Sequence, residues 1–205
     1  MQTEILPIEH PDIVDLAADT ISSGGPVAFP TDTVYGVGVD AFKADAIQKL
    51  FVIKERDTSR AVPILLGEIS HLSRIVGEMS YKALRTAEAF WPGPLTLVVP
   101  RHPTLPHILA PGETIGVRMP DHAAALSLLK RTGPLAVTSA NRSGAPSPRT
   151  AREVFEQLGG RIPLILDGGT TPGGIPSTVI DCTGEEIRLI RHGPVSLQEI
   201  NALFA

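Results

Sequence analysis

A cluster of hydroxyl and amide side chains, Thr138-Ser139-Ala140-Asn141, follows the apolar run Leu135-Ala136-Val137 and leads into Arg142-Ser143-Gly144-Ala145-Pro146-Ser147-Pro148. Such groups at the end of a buried strand can hydrogen-bond phosphate oxygens or a ribose without adding charge. An ordinary Ser/Asn turn uses the same residues. The chemistry is therefore weighed against the rest of the chain.

Four further groupings carry polar chemistry. Pro30-Thr31-Asp32-Thr33-Val34-Tyr35-Gly36 follows a short apolar run, so it either lines a crevice at a strand end or caps the strand. Lys54, Arg56 and Arg60 crowd together after a helical pattern. They suit a polyphosphate, or they stabilise a helix C-terminus. Arg118 closes the strand-like run Thr114-Ile115-Gly116-Val117. A guanidinium there needs a partner, which is a substrate carboxylate held bidentately or a structural ion pair. The loop Asp167 to Thr178 is rich in glycine, which allows close backbone approach to a ligand, or simply a flexible surface loop. Arg191 is one more candidate phosphate ligand.

Composition removes several classes. The chain has 205 residues, 42% hydrophobic and 20% charged, which suits one globular domain spanning 1–205. Glycine and proline number 19 each, an excess scattered along the chain that implies many tight turns. The net charge of -4 argues against a whole-surface attraction to nucleic acid. The basic residues are mostly arginine, which favours planar grip on phosphate or carboxylate. Cys182 is the sole cysteine, so no internal disulfide, Cys-x-x-Cys pair or multi-cysteine zinc site forms. There is no His-Glu-x-x-His, no Gly-x-x-x-x-Gly-Lys-Ser/Thr loop and no Gly-x-Gly-x-x-Gly. No signal peptide or membrane-spanning run is visible, so a cytoplasmic location is expected.

The elements that must position these residues follow from hydrophobic spacing. Helices are predicted over Pro11–Ser22, Ala44–Lys54, Ile69–Val76, Tyr81–Phe90, Ala123–Arg131 and Thr150–Leu158. The last starts with a capping-box pattern, Thr150 and Glu153. Strands are predicted over Val27–Phe29, Ala61–Leu66, Leu95–Val99, Thr114–Met119, Leu135–Val137 and Leu164–Leu166. A hairpin around Gly184 joins Thr178–Cys182 to Ile187–Arg191. Strands and helices interleave, so an α/β or α+β sheet flanked by helices is expected.

Taken in order, several segments resemble the YrdC-like family of threonylcarbamoyl-AMP synthases. They are Pro30-Thr31-Asp32-Thr33-Val34-Tyr35-Gly36, Lys54-x-Arg56, Trp91-Pro92-Gly93-Pro94-Leu95-Thr96 and Val117-Arg118-Met119-Pro120. Ser139-Ala140-Asn141 with Ser143-Gly144, Pro176-Ser177-Thr178-Val179 and Arg191-x-Gly193 complete the set. The resemblance implies a twisted, mixed open sheet with a large concave cavity. It implies formation of threonylcarbamoyl-AMP and pyrophosphate from L-threonine, bicarbonate or CO2, and ATP, for modification of a tRNA adenosine. It places Thr33, Arg118 and Ser177 on threonine. It surrounds the nucleotide with Lys54, Arg56, Arg60, Thr114, Ser139, Asn141, Ser147 and Arg191, with Lys54 and Arg56 as the catalytic pair. Mg2+ is expected to travel with ATP, since no acidic cluster makes a metal cage. A tRNA threonylcarbamoyl transferase complex is the expected recipient of the product. Arg60 stands where some relatives carry Asn or Lys. Pro63-Ile64-Leu65-Leu66 replaces a stretch where some carry His. The resemblance is to a short form, without the C-terminal domain of longer relatives. An RNA-binding module, and a carbamoyl-handling enzyme with another acceptor, are the alternatives of other classes.

Overall fold

The computed structural model describes residues 2–173 and 175–204. The first half of the chain forms β1 (Glu4–Pro7), α1 (Ile13–Ser22), β2 (Val27–Phe29), β3 (Gly36–Asp40), α2 (Ala44–Lys54), β4 (Ile64–Leu65), α3 (Leu72–Ile75), α4 (Tyr81–Phe90) and β5 (Leu95–Pro100). The second half forms β6 (Thr114–Arg118), α5 (Ala123–Thr132), β7 (Leu135–Ser139), α6 (Ala151–Leu158), β8 (Leu164–Asp167), β9 (Thr178–Asp181), β10 (Arg188–Arg191) and α7 (Leu197–Asn201).

All ten strands join one sheet in the order β1-β8-β2-β3-β7-β4-β6-β5-β9-β10. The sheet is mixed, as expected. β1 and β2 run parallel to β8, β4 to β6 and β5 to β9, while the other neighbours are antiparallel.

Directly paired residues share a face of the sheet, and the two faces are packed differently. One face buries Val37, Val39, Ile64, Leu97, Val117 and Ile180 with Ile47, Leu50 and Phe51 of α2, Ala83 and Ala87 of α4, and Val154 and Leu158 of α6. On the other face α1 and α5 cover only a part, through Ile13, Ala17 and Ile21 against Leu128, Leu129, Phe29, Leu65, Leu135 and Val137. Leu65 is paired with both Arg118 and Leu135, and Gly36 with Ser139. Arg118, Gly116, Gly36 and Ser139 therefore lie on this second face, outside the apolar cluster. The sheet thus presents small and polar residues on the face its helices leave partly bare.

Several expected elements change extent. The Ala61–Leu66 strand contracts to Ile64–Leu65, because Pro63 has no N–H for the ladder and the Val62 N–H is spent on Leu109 O at 2.8 Å. The Ile69–Val76 helix splits into a 3-10 turn, Ile69–His71, and the short α3. Thr150 caps α6 by accepting from Glu153 N at 3.2 Å, but Glu153 reaches back to Arg149 N at 2.6 Å rather than to Thr150, so the box closes one residue early. β1, β3 and α7 have no counterpart in the sequence-based assignment. The hairpin forms as expected, with an irregularity between Leu189 and Arg191.

Candidate active site

Lys54 continues the buried stripe of α2, after Ile47, Leu50 and Phe51, and is 1% exposed. Its Nζ donates to the carbonyls of Ser139 and Asn141, at the end of β7 and just beyond it. Burial first, then the charges of Arg56 and Arg60, lowers Lys54 to about 7. The two carbonyls act the other way, because they accept most strongly from the charged ammonium. The Arg56 guanidinium is likewise pulled down by burial and by Arg60. Arg56 donates to Ala61 O at 2.9 Å, and its Nε is buried without a protein partner. Among the described residues no carboxylate forms a salt bridge with Lys54, Arg56 or Arg60. Three basic side chains are thus crowded at one spot, with Asp57 near Arg60 but no salt bridge to any of the three among the described residues.

Asn141 belongs to the same spot. It is buried, its amide nitrogen donates to Ala145 O at 2.7 Å and Arg142 O at 2.8 Å, and its Oδ1 has no protein partner. Buried polar atoms without a protein partner are uncommon, and water, an ion or a ligand ordinarily completes such a network. Ser139 pairs with Gly36, and a Cβ at Gly36 would lie 2.8 Å from Val137 Cγ1, so this pairing excludes a larger residue there.

Arg118 organises a second group. Its Nε donates to Gly93 O at 2.9 Å, its Nη1 to Thr33 Oγ1 at 3.1 Å, and its Nη2 to Asp32. Three of five N–H donors are engaged, and one remains on each terminal nitrogen. Asp32 is the structural counter-ion that the sequence left as an alternative, so Arg118 is already engaged within the protein. Its remaining pair of donors still suits a carboxylate. Thr31 Oγ1 fixes the turn by donating to Val34 O at 2.7 Å and lies 3.0 Å from Thr33 Oγ1.

Ser177 is buried beside this group. Its Oγ lies 2.8 Å from Thr96 Oγ1 and 3.1 Å from Arg191 Nη2, while its carbonyl accepts from the same guanidinium at 2.8 and 3.1 Å. Arg191 is lowered by burial of its guanidinium and by the charge of Arg118, which places the two cations near one another. A Cβ on Gly193 would fall 2.2 Å from Thr178 N, so only glycine lets this segment lie against Ser177 and Thr178.

Nine of the eleven predicted residues therefore fall into two neighbouring groups. Lys54, Arg56, Arg60, Ser139 and Asn141 make the first; Thr33, Arg118, Ser177 and Arg191 make the second. Thr114 starts β6 and is exposed, and Ser147 is half-buried in the loop before α6; neither side chain joins these networks. Asp32, Thr31 and Thr96 are members the sequence-based site list omitted. The Pro30–Gly36 motif contained the first two, but nothing local shows that Asp32 pairs with a residue 86 positions away.

The groups do not line one row of strand ends. Leu65 pairs with both Leu135 and Arg118, so Arg118 is level with the start of β7 and Ser139 with its end. At roughly 3.3 Å per residue the offset is about 13 Å along the strands. Arg118 lies on the second face, whereas Lys54 reaches the end of β7 from α2, which packs on the first.

The glycine-rich loop after β8 approaches the protein's own backbone. Tyr35 Oη donates to Gly169 O at 2.8 Å and accepts from Gly168 N at 3.1 Å, while a Cβ on Gly173 would lie 1.8 Å from Thr33 O. Gly174 lies outside the described residues. Hollows of about 820 and 410 Å3 open beside α1 and α2, around Gly24 and Lys49, and none of the predicted site residues lines either. Burial pushes the Cys182 thiol up to about 12, which removes it as a nucleophile. Among the described residues no three His, Cys, Asp or Glu side chains converge as a metal site, and no helix is long and apolar enough to cross a membrane.

A mixed sheet with a cationic group at the end of α2 and an arginine–hydroxyl group on its second face has the charge to hold a polyanion and the donors to hold a small polar molecule. The chain belongs to the Sua5/YciO/YrdC family, described as telomere recombination, which matches residues 19–193. It is 40% identical over 204 residues to a threonylcarbamoyl-AMP synthase of Bacillus subtilis, covering 98% of this chain and 59% of that one. A Coxiella burnetii protein of the same name is 33% identical, with 88% of this chain and 99% of that one covered. The solved structure of P. abyssi Sua5 complexed with L-threonine superposes with a TM-score of 0.94 at 39% identity, over 98% of this chain and 61% of that one. The chain thus spans about three fifths of the B. subtilis and P. abyssi proteins, and the length of the Coxiella one.

Proposed function

We propose that this protein is a threonylcarbamoyl-AMP synthase. The observation that carries the reading is the cluster of Lys54, Arg56 and Arg60 beside Asn141, next to an arginine with two unspent donors. The first suits a polyphosphate and the second an amino-acid carboxylate.

The chemistry is a condensation. The uncharged amine of threonine adds to CO2, and the adduct loses its extra proton to solvent to give the carbamate. A carbamate oxygen then attacks the α-phosphorus of ATP. The bond to the β-phosphate bridging oxygen breaks, and pyrophosphate leaves with the electron pair. The protein's work is positioning and charge neutralisation. Arg118 would take the threonine carboxylate, with Thr33 and Ser177 on the rest of that molecule. Lys54, Arg56, Arg60 and Arg191 would neutralise the phosphates, with Asn141 and Ser139 on the nucleotide and Thr114 and Ser147 at its margins. Mg2+ would enter with ATP as part of the substrate; Asp32, the carboxylate of this group, pairs with Arg118 through Oδ1. The product would pass in the cytoplasm to a tRNA threonylcarbamoyl transferase complex.

Purified protein is expected to release pyrophosphate from MgATP only when threonine and bicarbonate are both present. Equal release without amino acid, or none under any condition, would sink the reading. The separation of the two groups supports a further split. Lys54→Ala and Arg56→Ala should each weaken ATP use by about 1.5–3 kcal/mol, the worth of a charged hydrogen bond, and leave threonine affinity nearly unchanged.

A further inference from the structure

Glu55 stands between Lys54 and Arg56 and has no part in the chemistry above. Among the described residues it is the only non-glycine with a positive φ, at φ 54 and ψ 42. L-residues with a Cβ avoid this left-handed conformation, and helices usually place glycine there. A glutamate in that place calls for a reason beyond the turn itself.

The turn sends neighbouring side chains in opposite directions. Lys54 reaches inward to the carbonyls of Ser139 and Asn141. The Lys54 carbonyl accepts from Ser143 N at 2.9 Å. Glu55 reaches outward, where both its carboxylate oxygens accept from Arg142 Nη2, at 2.8 and 2.7 Å. Arg161 Nη1 donates to Glu55 Oε1 at 2.8 Å and to Ile53 O at 3.1 Å. Two adjacent residues at the end of α2 thus hold segment 139–143 from within, along its backbone and from outside. The guanidinium of Arg142, then that of Arg161, holds the Glu55 carboxyl below its ordinary range. An isolated exposed ion pair counts for little, but one carboxylate shared by two arginines, one of them tied to the helix end, is a network with fixed geometry.

We propose that Glu55 is a positioning residue for the polyphosphate site. Its carboxylate sets segment 139–143 against the end of α2, and so fixes the spacing of Asn141 from Lys54 and Arg56. The identity of the ligand rests on the function proposed above; the hold on the segment does not.

Glu55→Gly separates positioning from folding, because glycine relieves the left-handed backbone while deleting the carboxylate. The expected result has opposite signs. The melting temperature stays level or rises, exchange of the Ser143 amide quickens at least tenfold, and the Kd for MgATP, by titration calorimetry, rises three- to tenfold. Threonine affinity stays within twofold. Arg142→Ala, which removes the other end of the same ion pair, should raise the Kd for MgATP to a similar degree, and adding it to Glu55→Gly should raise it no further. Unchanged exchange or unchanged ATP affinity in Glu55→Gly overturns the proposal. So does an equal loss of ATP and threonine affinity with a lower melting temperature, the mark of general damage. A wild-type protein that binds MgATP but forms no product removes the proposed function and leaves this proposal to the affinity and exchange results. A wild-type protein that binds no MgATP overturns both.

Discussion

At the scale of single residues, two cations carry the testable chemistry. Arg118 serves Gly93 O, Thr33 and Asp32 at once. Lysine has no planar fork and cannot make these contacts together. Arg118→Lys should therefore raise the threonine concentration needed for half-maximal rate at least tenfold, with ATP affinity nearly constant, as threonine and ATP titrations would show. A folded variant with unaltered threonine dependence would leave Arg118 only its ion-pair role. Lys54 makes a pH prediction. Its folded value of about 7 lies below the ordinary lysine value of 10.5. Free protein at pH 8 thus holds Lys54 largely neutral, and a polyphosphate beside it favours the charged form. MgATP binding at pH 8 should take up close to one proton, measured by calorimetry in buffers of different ionisation enthalpy. Lys54→Met should abolish the uptake. The same displacement has a sign for stability. The unfolded chain binds the extra proton between about pH 7 and 10.5, so unfolding free energy gains from this group as pH rises through that window, and the full penalty is present below it. Residue types were legible in the sequence because lysine and arginine beside apolar runs stand out. Their partners were not, since Asp32 and Arg118 meet only through the tertiary fold.

At the scale of elements, legibility followed the strength of the local signal. α2 and α4 form over the predicted residues because their apolar spacing is regular; Pro92-Gly93-Pro94 lies just beyond α4, while α2 ends at the left-handed Glu55. β3 was missed because Gly36-Val37-Gly38-Val39 has the glycines of a turn. In the sheet those glycines are required by packing, and a Cβ on Gly38 would lie 3.0 Å from Val137 and 3.2 Å from Phe29. β1 is an edge strand that is mostly exposed, so it carries little hydrophobic pattern. α7 was missed despite a capping box from Ser196 to Glu199, because five residues are too few to show a period. The loop after β8 was read either as one that approaches a ligand or as a flexible surface loop; in the structure its Gly173 lies against the Thr33 backbone. That difference gives a prediction. Gly173→Ala must displace the Thr33 backbone, and overpacking of this kind costs about 1–3 kcal/mol. It should lower the denaturation midpoint and raise the threonine requirement more than the ATP requirement. Gly112→Ala is the control, because nothing lies within 4 Å of a Cβ there. Equal effects of the two substitutions would mean that the loop does not brace Thr33.

At the scale of the whole molecule, charge distribution decides what kind of polyanion the protein meets. The net charge is -4, yet among the described residues Lys54, Arg56 and Arg60 form no salt bridge, and Arg191 lies close to Arg118. Positive charge is thus concentrated around the end of α2 and at Arg118 and Arg191, and is outweighed elsewhere. A small polyanion such as MgATP can enter such a site and be held by three or four cations. A long nucleic acid needs a continuous basic track, because its affinity comes from many phosphate contacts and the counterions they release. Only 4% of the residues are aromatic, too few for a base-stacking platform. The protein should therefore show no measurable tRNA binding at micromolar concentration and physiological salt, and excess tRNA should leave threonine-dependent pyrophosphate release unchanged. Gel-shift and pyrophosphate assays across a salt series test this directly. Binding that weakens steeply with salt, or competition between tRNA and ATP, would show that the cationic face extends to RNA and that the adenylate is not simply released to a separate tRNA-binding partner.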